Sequence, residues 1–163
     1  IPDFLWPDSI PSEKDLEINN FFCNFMLNKN MVSENFDSLF KAAKKVREQA
    51  HVPYSNFKVG AAFLTEDSKI ITGCNVENAA YPQSQCAEAS AIGNLVSQGF
   101  SSIKEVVVIG SGDLLCSPCG GCRQRLREFG SLDLKIHMCN SEGHLKTSTL
   151  NDLLPDSFGP ENL

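Results

Sequence analysis

Apolar residues recur every three or four positions at Phe36, Leu39, Phe40, Ala43 and Val46, which predicts a helix with one buried face. Ser33 is suited to cap its start, and Pro53 bars its continuation. Val59, Ala61 and Phe63 then alternate with their neighbours, so residues 57–65 read as a strand. Glu66, Asp67 and Ser68 form a turn signal, and 69–74 reads as the return strand of a hairpin. Residues 75–85 are polar, contain Pro82 and read as a loop. Helical periodicity resumes over 86–97, with Gly99 placed to end the helix. Residues 106–109 are an uninterrupted apolar run, as in a central strand covered on both faces. Pro118 suits the first turn of a helix closing at Gly130, strands follow at 134–139 and 144–147, and Thr149 caps a short helix stopping at Pro155. This order predicts an α/β domain: a three-layer α-β-α sandwich around a mixed five-stranded sheet.

Residues 1–32 differ. Pro2, Pro7 and Pro11 among scattered acids leave no clear periodicity, although 21–27 is apolar enough for a short packed helical turn. The expected organisation is an extension of unknown role over 1–32 and a folded domain over 33–163. No signal peptide is visible in the first 20 residues, and the apolar run 21–27 is too short to span a bilayer.

A chain of 163 residues with 42% hydrophobic and 21% charged residues suits one ordinary domain. The net charge of −6 argues against nucleic acid as a partner, because phosphate binding needs clustered cations. The densest basic run, 41–47, falls on the first predicted helix and reads as its solvated face. A small neutral ligand fits this balance. Seven cysteines are an odd number for a disulfide framework, and three of them fall within 116–122, which suggests metal chemistry in a reducing cytoplasmic compartment. Cys23, Cys74 and Cys139 read as small buried hydrophobes.

Cys86-Ala87-Glu88 and Pro118-Cys119-Gly120-Gly121-Cys122 carry the chemistry. Each motif opens a predicted helix, so positive dipole ends would converge on three thiolates and favour their ionised form. Gly120 and Gly121 would let the backbone come close to a metal or ligand. Three protein ligands on Zn²⁺ leave a fourth position open for chemistry, whereas Cys116 as a fourth ligand would close the site into a structural staple. Glu88 is either a favourable partner for its own helix dipole or, beside an open zinc, a general base.

These motifs resemble those of the small homotetrameric, three-cysteine zinc cytidine deaminases. The likeness covers about 33–163 and extends to Val52-Pro53-Tyr54-Ser55-Asn56-Phe57-Lys58-Val59-Gly60-Ala61-Ala62, to Gly73-Cys74-Asn75-Val76-Glu77-Asn78-Ala79-Ala80-Tyr81-Pro82, to Arg127-Glu128-Phe129-Gly130 and to the tail 153–163. It implies one zinc per subunit on Cys86, Cys119 and Cys122, with Glu88 as the catalytic proton shuttle. It implies that Asn75 and Glu77 bind the ribose 3′-hydroxyl, that Phe57 packs on the pyrimidine and that the Ala87 N–H meets the base O2. Tyr81 and Phe158 would build a pocket shared between subunits. The implied reaction is hydrolysis of cytidine or 2′-deoxycytidine to the uridine product and ammonia, in pyrimidine salvage. A related zinc deaminase of blasticidin type and a non-catalytic zinc-stapled module are the alternatives; Asn75, Glu77 and the Phe158 tail favour the nucleoside enzyme.

One position departs from the family. Ala89 stands where an Arg usually follows the glutamate and pairs with the thiolates. Arg123, next to Cys122, and the two helix dipoles are the candidate replacements.

Overall fold

Buried residues Phe36, Leu39 and Ala43 fall on one side of the first helix, α1 (Phe36–Arg47). The structure, a computed structural model, describes residues 33–163, so the expected turn at 21–27, the setting of Cys23 and the extension 1–32 lie outside the described residues. Helix α1 opens after Asn35 rather than at Ser33, which precedes the turn formed by Glu34 and Asn35. The apolar spacing is set by burial and starts at Phe36, which places Asn35 at the cap position. The basic run is not wholly solvated either. Lys41, Lys44 and Lys45 are exposed, but Arg47 turns inward and its Nη1 donates to the Gly110 carbonyl at 3.1 Å.

Five strands follow: β1 (Gly60–Leu64), β2 (Ile70–Cys74), β3 (Glu105–Ile109), β4 (Lys135–Cys139) and β5 (His144–Thr149). They form one mixed sheet in the order β2-β1-β3-β4-β5. Only β3 and β4 pair in parallel. Every residue of β1 and β3 is buried, because these strands have neighbours on both edges and helices on both faces. Ala61, Phe63, Val106, Val108, Ile136 and Met138 face α2 (Ala87–Ser97) and α3 (Gly120–Phe129), and join Ala91, Leu95 and Leu126 in one core cluster. The alternate positions face α1: a methyl group at Gly60 would lie 2.2 Å from the Ala43 carbonyl oxygen, and Phe36 meets the His137 ring edge-on. Each fully buried Phe or Leu here contributes roughly 1.5–3 kcal/mol. Within the sheet, the buried Glu105 and His137 satisfy each other at 2.5 Å, and Thr147 meets the other ring nitrogen at 2.7 Å.

The register explains where a site can form. Gly60 is flanked by Cys74 on one side and Ile109 on the other. The carboxyl ends of β2 and β3 therefore emerge side by side, and each leads through a loop to a helix N-terminus, α2 or α3. Gly73 lets β2 approach α2 closely: a Cβ there would sit 2.3 Å from the Ala91 nitrogen and 2.6 Å from the Ala87 oxygen. Residues Glu34–Leu163 form one compact unit. The last helix, α4 (Leu150–Leu153), is capped by Thr149 as expected, in a reciprocal box with Asp152. Among the described residues, no helix is long and apolar enough to cross a membrane.

Candidate active site

Cys86 precedes the first turn of α2 and Cys119 precedes the first turn of α3. Both helices start one or two residues later than expected, so these cysteines sit at the caps, aimed by the dipoles from outside the helices. Cys122 lies inside the first turn of α3 and is buried, while Cys86 and Cys119 are exposed. The sulfurs of Cys86 and Cys119 are 3.8 Å apart, and all three lie within 4.8 Å of one another. Tetrahedral zinc with 2.3 Å bonds requires sulfurs about 3.8 Å apart, so this donor set fits that metal. Cys116 is not part of the group. It packs on the core, and burial pushes its thiol up to about 11. Among the described residues, the sulfurs that converge are those three. Of the other cysteines, Cys139 is buried and Cys74 half-buried.

The Cys122 thiol, hydrogen-bonding to Cys86, brings Cys86 down to about 6 and is itself pushed far up. Glu88 follows on the first turn of α2 and is only 4% exposed. Burial pushes its carboxyl above the ordinary carboxylate value, the direction a group needs in order to exchange protons near neutrality.

These residues open onto a cavity of about 640 Å³ lined by Phe57, Asn75, Glu77, Tyr81, Cys86, Ala87, Glu88 and Cys119 among others. That volume suits a small organic ligand. Asn75 Oδ1 accepts from the Val59 N–H at 2.8 Å and Nδ2 donates to the Phe57 carbonyl at 2.8 Å. The side chain thus fixes the strand entry that carries Phe57, and keeps one N–H and one lone pair for a ligand. Glu77 Oε2 accepts from the Tyr54 and Ser55 N–H groups at 2.9 and 3.2 Å. The Ser55 hydroxyl, with these amides, holds its carboxyl below the ordinary value. The Ala87 N–H belongs to the unpaired first turn of α2 and is available to a carbonyl.

Phe158, expected at a pocket shared between subunits, is 60% exposed and lies outside the lining of its own chain's cavity; Gln124 fixes its carbonyl and Arg127 clamps Ser157 and Glu161 beside it. One expectation changes. Arg123 does not reach the thiols. Its Nε, Nη1 and Nη2 donate to the Pro118 carbonyl, the Leu153 carbonyl and the Ser117 hydroxyl, so it pins the loop ahead of Cys119 to the C-terminal segment. Gly120 has open space where a side chain would go, so no close protein contact demands glycine there. Sequence reasoning also passed over Tyr54, Ser55 and Gln85 as lining residues. Tyr54 lies in the same block as Phe57 and meets Tyr81 edge-on at 6.1 Å, a pairing across 27 positions that no local pattern announces.

A family model described as the cytidine and deoxycytidylate deaminase zinc-binding region matches residues 33–138, a span containing Cys86, Glu88, Cys119 and Cys122. The cytidine deaminase of Sporosarcina psychrophila is 43% identical over 127 residues, covering 78% of this chain and 93% of its own length. The crystal structure of cytidine deaminase from Burkholderia pseudomallei matches with a TM-score of 0.71 at 42% identity, covering 75% of this chain and 98% of that one. The cytidine deaminase structure from Mycobacterium tuberculosis matches with a TM-score of 0.68 at 37% identity, covering 78% and 99%.

Proposed function

The chain belongs to the cytidine and deoxycytidylate deaminase family, and from that premise we propose that it hydrolyses cytidine and 2′-deoxycytidine to uridine and 2′-deoxyuridine, releasing ammonia. The observation that carries this reading is the buried Glu88 carboxyl beside three converged thiols at the wall of a nucleoside-sized cavity. Cys86, Cys119 and Cys122 would hold zinc, which supplies the Lewis acidity that makes water a nucleophile near neutral pH.

The chain's own groups do the rest. Glu88 takes a proton from the attacking water and gives it to N3 as the C4–O bond forms. It then carries the second proton of that oxygen to the exocyclic amine. The C4–N bond breaks, ammonia leaves and the C4 carbonyl forms. Glu88 ends as it began, so one carboxyl serves as base and acid in turn. The Ala87 N–H orients the base through O2, Phe57 packs on the ring, and Asn75 and Glu77 receive the ribose 3′-hydroxyl. A group pre-organised by neighbours, as Glu77 is by Tyr54 and Ser55, spends little binding energy on being ordered.

The active form in this reading is a homotetramer. Tyr81 and Phe158 are 73% and 60% exposed and Leu114 is 84% exposed, large apolar groups whose exposure a partner subunit would relieve. Phe158 then closes a neighbour's cavity rather than its own. The enzyme would act in the cytoplasm in pyrimidine salvage, with no nucleic-acid or membrane partner. Incubation with cytidine, followed by the fall in ultraviolet absorbance and by metal analysis of the same sample, tests the activity. Sedimentation velocity tests the tetramer; a monomer with full turnover would remove the shared pocket.

A further inference from the structure

Two ligands have a residue one helical turn onward on the same side: Ala89 lies three positions after Cys86 on α2, and Arg125 lies three positions after Cys122 on α3. Three thiolates around Zn²⁺ leave the centre with a net charge of −1, and an ionised Glu88 adds another negative charge beside it. Uncompensated, that charge weakens the metal as a Lewis acid and is costly where water is scarce. A nearby cation is therefore needed.

The other cations at hand are occupied. Arg123 holds the Pro118 and Leu153 carbonyls. Arg127 holds the tail at Ser157 and Glu161. Arg47 and Lys58 pair with Glu48. Arg125 differs. Its Nη1 lies over the Gly121 backbone, where an added Cβ would come within 3.1 Å of it, and Gly121 sits between Cys119 and Cys122. Among the described residues no carboxylate pairs with it.

We propose that Arg125 is the cation that balances the three-thiolate centre, filling from α3 the place that Ala89 leaves without charge on α2. It is a positioning residue, acting on the metal through the sulfurs. The glycine at 121 belongs to the same arrangement, because it leaves room for the guanidinium to lie down on the helix start. This inference rests on the zinc reading above.

The test is zinc affinity, measured by competition with a chromophoric chelator on the full chain. The variants are Arg125→Gln, Arg125→Lys, Arg125→Gln with Ala89→Arg, and Lys45→Gln as a remote change of equal charge. Loss of an outer partner weakens metal binding by roughly 10–100-fold, so about a tenfold loss is expected for Arg125→Gln and less than twofold for Lys45→Gln. Arg125→Lys should retain most of the affinity, and Ala89→Arg should restore much of what Arg125→Gln loses. Arg125→Gln within twofold of the parent, or failure of both Arg125→Lys and Ala89→Arg to recover affinity, overturns the proposal. Should Arg125→Gln not fold by circular dichroism, zinc release from the parent across ionic strength decides. An exposed cation is screened by salt, so release several-fold faster at high salt supports the proposal, and salt-independent release overturns it. A parent chain that binds no zinc at all overturns both this proposal and the reading beneath it.

Discussion

The Sγ atoms of Cys86 and Cys119 lie 3.8 Å apart although 33 positions separate them in the chain. The sheet produces this meeting. Cys74 and Ile109 end β2 and β3 on either side of Gly60, and the loops that follow have one place to go. If the distance reflects a metal site, Cys119→Ala should weaken zinc binding by more than ~100-fold, beyond the loss from an outer partner. Circular dichroism should change little, because Cys119 is exposed at a helix cap. Metal content after gel filtration checks this.

The close approach of β2 and α2 sets the position of Cys86 and Glu88. Gly73→Ala would drive a methyl group into the α2 backbone, so it should destabilise by about 1–3 kcal/mol and lower turnover together with stability. Gly93→Ala, with open space around it, should stabilise by about 0.5–1 kcal/mol through helix propensity. Chemical denaturation of both variants makes the comparison.

Asn75 holds both the Phe57 carbonyl and the Val59 N–H. Asn75→Ala should therefore cost stability as well as binding, about 1–3 kcal/mol from the backbone groups it leaves unpaired. The KM for cytidine should rise in the same variant. A KM change with unaltered stability would mean that the side chain serves the ligand alone.

Glu77 gives a pH dependence with a defined sign. The Ser55 hydroxyl and neighbouring amides depress its carboxyl below the ordinary carboxylate value. It therefore stays ionised as pH falls to that value, and protonates only below it. Its contribution to stability is present above the unfolded-state value and is lost as pH falls through the folded one. The KM for cytidine should be flat down to about pH 5 and rise only in stronger acid. Glu77→Gln should raise KM by roughly 10–100-fold, as for a hydrogen bond to a charged group, and remove that acid-side rise.

The sequence pattern located the α-helices and strands of the described residues because burial follows it directly, as at Phe36, Leu39 and Ala43 on α1 and in the apolar run of β3; it missed the single 3-10 turns at Tyr81–Gln83 and Pro160–Asn162, which are too short to show a period. The convergence of Cys86, Cys119 and Cys122 was legible because two short motifs each open a helix. What periodicity could not supply was side-chain direction over long separations. Arg123 looked like the cation for the thiols because it adjoins Cys122, yet its guanidinium binds the Leu153 carbonyl 30 positions away. Arg125 carried a usable signal, its three-residue offset from Cys122, but helix geometry had to be applied to see it. The cap position fell to Asn35 rather than Ser33, because no local rule says which of several polar residues the first buried side chain will select.

The central claim is that Glu88 moves the protons while the three cysteines hold the metal. The direct test is Glu88→Gln, with zinc content and cytidine turnover measured on the same preparation as the parent. The account predicts about one zinc per chain in both, with turnover lost by at least ~100-fold in the variant, the scale of a general acid–base group. Turnover by Glu88→Gln within a few-fold of the parent, at equal zinc, would contradict it.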